Sequence, residues 1–359
     1  MRAIMLFLLV AFHAGISYMN SELNPDLWVF KDSSTHIFFD GFLGFVHTFR
    51  HPAFFVISGY VTHQMFQKYT WKEVLNKRFK RLFIPMLITI VLMGPVVHIL
   101  FAQLMGNSDA FTLEVIYPSS VGHPYRVSTI YVWFLYYLLL FSVIHLASER
   151  FGIGRFFKRY KLRRNWFLTA VLILSVLVIG CLTAWQENSL FGDYHLSPAW
   201  PSLGGYLVFY LFGIFLANRK ESLAKLKQFG MLFVILGTVS FVVYSAQGMI
   251  VLEEEGNAMR FNSILMISSA LATVFYSFGF LGLSLKYYTK PNQTVSYIGS
   301  SSYFLYLIHF PILLVFLKFS VGHDWNVFVK FLFVLIATCF CSLLLNVLWI
   351  KAWKNKPPI

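Results

Sequence analysis

The chain has 359 residues, of which 58% are hydrophobic and only 12% are charged. Soluble domains carry about one quarter charged residues, so this composition excludes an ordinary soluble protein and indicates a membrane protein. The net charge of +14 would indicate nucleic-acid binding only together with a nucleic-acid-binding fold. The sequence contains no such fold, and we expect no nucleic-acid partner.

Ten apolar segments follow one another along the chain. Each is close to the ~20 residues that a helix needs to cross ~30 Å of hydrocarbon, and none shows the two-residue alternation of a membrane strand. The sequence therefore predicts an all-α polytopic membrane protein, a bundle of about ten transmembrane helices in a single domain over residues 1–359. The predicted spans are 3–19, 38–66, 82–105, 129–148, 166–184, 201–217, 229–250, 261–283, 297–317 and 327–350.

The basic residues are concentrated on one side of these spans. Of the 29 lysines and arginines, 22 follow the second, fourth, sixth, eighth or tenth span. Because positively charged loops remain in the cytoplasm, this asymmetry predicts that both termini are cytoplasmic. We expect a multi-pass protein of the cell inner membrane whose basic run "RFFKRYKLRR" faces anionic lipid.

The first span carries Arg2 and His13. It lacks an A-x-A cleavage site, and we expect it to be retained as a helix rather than removed as a signal peptide. Eleven positions make almost three helical turns, so both residues project from one face, with Arg2 at the cytoplasmic surface and His13 near mid-membrane. An ionisable group at that depth marks a cavity or pathway by default. A histidine that only hydrogen-bonds a neighbouring helix is the alternative.

The second span, in "HTFRHPAFFVISGY", places His47, Arg50 and His51 at a similar depth. An arginine there cannot easily lose its charge and needs anions or carbonyl groups around it. We expect Arg50 to hold an anionic or carbonyl-bearing ligand beside His13, and a structural role is the alternative. Pro52 is expected to kink this helix, and Gly59 to permit close helix packing.

Several strings resemble the membrane acyltransferase-3 family. They are R-x10-H in the first span, followed in order by "FRHPAFFVISGY", "KRFKRLFIP", "WFLYYLL" and "YIGSSSYFLYLIHFPI". The second and third strings look closest to the OpgC/MdoC-type glucan succinyltransferase branch. The resemblance implies an O-acyltransferase that moves a succinyl or acetyl group from cytoplasmic acyl-coenzyme A to a hydroxyl of an extracytoplasmic glucan or other saccharide.

The chemistry of thioester transfer assigns roles to five residues. Such a reaction needs a base at the attacking hydroxyl and a cation or donor at the developing oxyanion. His13 suits the first task and Arg50 the second. Arg2, Arg78 and Arg81 lie on the cytoplasmic face where the coenzyme phosphates arrive, although Arg78 and Arg81 also obey the positive-inside pattern.

Three further residues are predicted to contact substrate. His47 lies beside Arg50, Trp133 opens "WFLYYLL", and His309 belongs to the late "YLIHFP" string. Interfacial anchoring is the alternative for Trp133, and helix packing is the alternative for His309. His51 stands where the family motif commonly has an apolar residue, so no family role is transferred to it.

The predicted partners are acyl-coenzyme A, the saccharide acceptor and the lipid bilayer. We expect no tightly bound cofactor and no metal, since the sequence contains no ligand spacing for one. The competing functional class is a proton-coupled transporter or flippase for a saccharide or acyl-linked substrate, in which His13 and Arg50 would relay protons or clamp the substrate. An inverted repeat would favour transport, and the sequence shows none.

Overall fold

The computed structural model describes residues 2–21, 28, 30–106, 131–151, 200–253, 263–288 and 293–354. Within these ranges all regular secondary structure is helical, as predicted. The predicted span at 166–184 lies outside the described residues. The helices are α1 (Arg2–Ile16), α2 (Ile37–Lys68), α3 (Trp71–Leu104), α4 (Trp133–Arg150), α5 (Trp200–Ala217), α6 (Lys220–Glu253), α7 (Ser263–Tyr287), α8 (Gln293–Val321) and α9 (Val327–Lys354).

Six stretches of the described helices are long and apolar enough to cross a membrane: Trp71–Leu104, Trp200–Ala217, Glu221–Gly248, Ser263–Tyr287, Ser301–Val321 and Val327–Lys351. Their outer surfaces carry large apolar side chains, such as Phe340 on α9, which is 65% exposed. Extensive apolar surface of this kind needs a nonaqueous environment. The chain is therefore a multi-pass membrane protein, while the full count of ten spans and the cytoplasmic termini stay predictions.

The chain forms two compact units. The first comprises Met1–His47, Leu87–Val132 and Lys290–Ile359, and the second comprises Thr48–Met86 and Trp133–Thr289. In the first unit, α1 packs against α8 and α9, and α8 also packs against the end of α3. In the second unit, α6 and α7 pack along each other over most of their length. That residues 1–359 act as a single domain stays a prediction.

Close packing in the second unit depends on glycines of α2 and α5. A Cβ atom at Gly59 would lie 1.9 Å from the carbonyl oxygen of Tyr210, and one at Gly213 would lie 2.0 Å from the carbonyl oxygen of Val56. Each obstacle is backbone and cannot move aside. The predicted role of Gly59 in close helix approach is thereby confirmed.

Helix α3 contains two π-helical turns, Phe79–Phe83 and Thr89–Met93. Each is followed two residues later by a proline, Pro85 or Pro95. A proline ring lacks an amide hydrogen and collides with the carbonyl group four residues before it. Because that carbonyl lies within the π turn in both cases, the wider turn accommodates the ring without breaking the helix.

We expect Gly59→Ala to destabilise the protein and Gly41→Ala to leave it unchanged or slightly more stable. A Cβ at Gly59 overlaps backbone, and overpacking costs ~1–3 kcal/mol, whereas a Cβ at Gly41 on the same helix meets no atom within 4 Å. Thermal unfolding of both variants in one detergent measures the difference. Equal melting temperatures for Gly59→Ala and the wild type would contradict the packing argument.

Candidate active site

The first unit brings two histidines of distant helices into contact. His13 lies near the end of α1 and His309 in the middle of α8. The Nδ1 atom of His13 lies 3.1 Å from the Nε2 atom of His309. His309 is fully buried, and His13 is half-buried. The two residues, which the sequence analysis assigned separately to catalysis and to substrate binding, therefore form one group.

The hydrogen bonds of this pair determine where the protons lie. His309 Nδ1 is 2.8 Å from the carbonyl oxygen of Tyr306 and 3.2 Å from that of Leu305. A carbonyl oxygen only accepts, so Nδ1 of His309 carries the hydrogen and, in the neutral ring, its Nε2 is an acceptor. His13 must then donate from Nδ1. Its remaining lone pair lies on Nε2, which makes that atom the basic position of the pair.

Tyr131 bonds a carbonyl group of α8 that lies close to His309 in the chain. Pro311 provides no backbone hydrogen bond for the carbonyl group of Leu307, four residues earlier in α8. The Tyr131 hydroxyl donates a hydrogen bond to this carbonyl group instead. The Tyr306 hydroxyl in turn donates to the Tyr131 carbonyl oxygen at 2.8 Å. Tyr131 thus replaces the missing helical bond directly beside His309.

Aromatic rings surround the histidine pair. Phe310 meets the His13 ring edge-on at 5.0 Å between ring centroids. The Trp28 indole lies nearly parallel to the same imidazole, at 6.4 Å and an angle of 11°. His47 stacks on Phe12, the neighbour of His13, at 5.6 Å. His47 thus lies beside α1, and its contact with substrate stays a prediction.

The second unit contains the buried arginine of α2. Arg50 is only 1% exposed. Its Nη2 atom lies 3.1 Å from Nε2 of His51. An arginine can only donate, so Nε2 of His51 accepts and the imidazole is neutral. Since His13 lies in the first unit and Arg50 in the second, their predicted common site stays a prediction.

Trp133 belongs to the surroundings of this arginine. Its ring lies 4.7 Å from that of His51 and 5.6 Å from that of Tyr206 on α5. Trp133 is only 6% exposed, which is unlike an anchoring residue at the lipid surface. Arg50, His51, Trp133 and Tyr206 therefore form one cluster of polar and aromatic side chains.

The predicted phosphate-binding arginines have different surroundings. Arg78 is half-buried and its Nη2 donates to the Thr62 hydroxyl group on α2. Arg81 is exposed. Arg2 begins α1, and its side chain lies outside the described residues. The coenzyme contacts of all three stay predictions.

A second pair of buried histidines lies near Arg78, where His63 and His145 stack at 5.7 Å. His63 Nε2 is 3.0 Å from the side-chain oxygen of Asn218, and His145 Nε2 is 3.9 Å from a carboxylate oxygen of Glu149. Three of these residues could be metal ligands: His63, His145 and Glu149. They are the one such group in the described ranges, and their ligand atoms lie within 4.8 Å of one another. Tetrahedral zinc ligands lie about 3.4 Å apart, so this spacing does not favour a zinc site.

These features define a class: a helical membrane protein with a hydrogen-bonded histidine pair, one member of which is fully buried, and a buried arginine. Residues 1–347 match the family model described as the acyltransferase domain. The chain belongs to this family, as the sequence motifs predicted, and it is a membrane acyltransferase.

Curated relatives carry the name glucans biosynthesis protein C. Those of Escherichia coli strains K12 and UTI89 are each 23% identical to this chain over 348 residues, which cover 92% of this chain and 85% of the relative. No solved structure matches the chain.

Sequence reasoning missed Trp28, Tyr131, Tyr206 and His51. Trp28 lies in a connecting segment, where no helical periodicity shows which way a side chain points, and Tyr131 and Tyr206 are two of many aromatic residues in apolar runs. His51 was set apart from the site because it departs from the family motif, yet it is the residue that accepts from Arg50. A polar residue directly beside a buried arginine was the available signal.

We expect His309→Leu to slow acyl transfer, because it leaves the Nδ1 hydrogen of His13 without its acceptor. An unsatisfied buried donor costs ~1–3 kcal/mol, which corresponds to roughly 5- to 150-fold in rate. His309→Gln offers a replacement acceptor and should recover part of the rate. Turnover of purified protein measures both effects.

The matched control is His323→Leu, a half-buried histidine just beyond the end of α8. It should keep the wild-type rate. Equal rates for His309→Leu and His323→Leu would contradict the pairing.

Proposed function

We propose that this membrane acyltransferase transfers a succinyl or acetyl group from cytoplasmic acyl-coenzyme A to a hydroxyl of an extracytoplasmic glucan or other saccharide. The observation that carries the proposal is the contact between His13 and His309, which leaves a basic Nε2 atom on His13. The name of the relatives, glucans biosynthesis protein C, supports a glucan as the acceptor. We further propose the cell inner membrane as the location, with ten spans and both termini cytoplasmic.

In this proposal His13 is the general base. The acceptor hydroxyl oxygen attacks the thioester carbonyl carbon while Nε2 of His13 takes the hydroxyl proton. An ester bond forms, the carbon–sulfur bond breaks, and the proton passes from His13 to the coenzyme A thiolate. His309 acts through its acceptor atom, since it keeps the His13 ring in the tautomer that has its lone pair on Nε2. General bases contribute ~10²–10⁴ in rate.

Arg50 is the proposed electrophilic residue. Its guanidinium group cannot be deprotonated, and its burial removes the water that would otherwise screen its charge. A buried cation is worth more to a developing oxyanion than one in water. The neutral His51 accepts a hydrogen bond from Nη2 of Arg50. This bond orients the guanidinium group, and because His51 is neutral it leaves the positive charge of Arg50 uncompensated.

Arg2, Arg78 and Arg81 are the proposed phosphate contacts of the coenzyme, which acts as donor substrate rather than as a bound cofactor. Arginine matches phosphate oxygens with two parallel hydrogen bonds. The Thr62 hydroxyl that accepts from Arg78 itself donates to the carbonyl group of Ser58 at 2.7 Å. Arg78 is therefore held in one orientation before any ligand arrives.

Transfer by purified protein in vesicles tests the proposed function. Radiolabelled succinyl- or acetyl-coenzyme A is supplied in the compartment that the proposed cytoplasmic face of the protein contacts. Periplasmic glucan is supplied in the compartment on the other side of the membrane. Label should appear in the glucan with one of the donors. His13→Ala should lower the rate ~10²–10⁴-fold, while His323→Ala should not. Wild-type turnover by folded His13→Ala would refute the assignment of the base, and no labelled saccharide with either donor would refute the proposed reaction.

Arg78→Ala and Arg81→Ala should both raise the KM for the donor. Each lost charge-assisted hydrogen bond costs ~1.5–3 kcal/mol, which is roughly tenfold to a hundredfold in KM. Arg78→Ala should also lower the melting temperature because it removes the bond to Thr62. Lys80→Ala, an exposed basic residue between them, is the control. If all three variants keep the donor KM of the wild type, Arg78 and Arg81 do not contact the coenzyme and serve topology only.

A further inference from the structure

A buried ion pair joins Asp32, which lies between α1 and α2, to Lys330 of α9. Lys330, in the first turn of α9, places its Nζ atom 2.9 and 3.1 Å from the two carboxylate oxygens of Asp32. The exposed fractions of Asp32 and Lys330 are only 4% and 2%. Charges removed from water in this way are retained only when they are paired and hydrogen-bonded. The backbone amide of Ser34 satisfies the carboxylate further, at 2.8 Å.

Ser17 connects this ion pair to a tryptophan. The Asp32 amide donates to the Ser17 carbonyl oxygen at 2.9 Å, and the Ser17 hydroxyl donates to the carbonyl oxygen of Phe30 at 3.1 Å. The same hydroxyl oxygen accepts the indole N–H of Trp28 at 2.8 Å. Because Ser17 directly follows α1, these bonds fasten Trp28 to the helix that carries His13.

Trp28 covers one side of the proposed base. The indole lies nearly parallel to the His13 imidazole. Its other neighbours are Phe101, at 5.4 Å, and Phe310, at 5.8 Å, both of which meet it edge-on. Trp28 is only 5% exposed. These three rings provide no hydrogen-bond acceptor for water on this side of His13.

We infer that Trp28, positioned by the pair of Asp32 and Lys330, keeps water away from His13 and thereby directs the acyl group to the saccharide hydroxyl. This inference rests on the proposed function. Water is the competing nucleophile in every such transfer. When water attacks, its oxygen bonds to the thioester carbon, the carbon–sulfur bond breaks, and the proton passes through His13 to the thiolate. The products are then a free carboxylic acid and coenzyme A.

The rings of Trp28, Phe101 and Phe310 are proposed to determine which nucleophile, water or the saccharide hydroxyl, attacks the thioester. A water-excluded site suppresses hydrolysis of a reactive donor, and we expect transfer to a bound acceptor to continue. Trp28 is therefore a specificity-determining residue, and Asp32 and Lys330 are positioning residues that act through it. The share of donor lost to water measures this function, because a residue that only stabilises the fold would lower both reactions together.

The test compares thiol release with saccharide labelling in proteoliposomes supplied with the donor that the wild type uses. Trp28→Ala should increase the hydrolysed share about tenfold, which corresponds to ~1.4 kcal/mol between the two competing barriers, and Trp28→Phe, which keeps a ring but loses the bond to Ser17, should increase it less. The matched control is Trp325→Ala, which removes another tryptophan of the same unit beside a histidine, His323. Adding His13→Ala to Trp28→Ala should abolish the hydrolysis, which links it to the same base.

The ion pair is tested with both charges removed together. A single substitution leaves a buried charge without its partner and endangers folding, so Asp32→Asn is combined with Lys330→Met. This double variant should stay folded and show a raised hydrolysed share. An unchanged hydrolysed share of donor in folded Trp28→Ala overturns the inference. If Trp28→Ala does not fold, an unchanged hydrolysed share in Trp28→Phe overturns it. An unchanged share in the double variant overturns the positioning role. A wild type that neither releases thiol nor labels saccharide refutes the proposed function instead.

Discussion

Polar side chains that leave water must find partners inside the protein, and this requirement shapes both compact units. His13 is bonded to His309, Arg50 to His51, and Asp32 to Lys330. Each pair contains an ionisable group whose burial alone would cost several kcal/mol. The hydrogen bonds that offset this cost also fix orientation, so the groups are held in defined tautomers and rotamers. The same hydrogen bonds therefore make burial of these groups possible and hold them in one orientation.

Much of the helical structure could be predicted from the sequence. Within a membrane, only α-helices and closed β-barrels satisfy the backbone hydrogen bonds of an apolar run. The positions of α1 to α9 follow the apolar runs of the sequence. Depth within a run also singled out His13 and Arg50, because an ionisable residue in apolar surroundings is conspicuous without any structure. The family followed from the order of motifs, and the match over residues 1–347 confirms it.

The contacts between distant segments could not be predicted. His13 and His309 are 296 positions apart, and periodicity describes faces within one helix but not which helices meet. Trp28 lies in a connecting segment, and the sequence around it gives no sign that it donates to Ser17 and packs beside His13. Sequence analysis therefore identified the candidate base but not the residue that fixes its tautomer or the ring that covers it. His51 is a different case: it is adjacent to Arg50 in the chain and received no role because it departs from the family motif.

The two π-helical turns of α3 have a consequence for how its basic motif is interpreted. A π turn contains one residue more than an α-helical turn, and one residue rotates the helix by about 100°. Side chains on either side of such a turn are therefore out of phase with the spacing that an unbroken helix would give them. Arg78 precedes the first π turn and is half-buried, while Arg81 lies inside it and is exposed. The wide turn thus directs two arginines of one short motif toward different environments, protein for one and solvent or headgroups for the other.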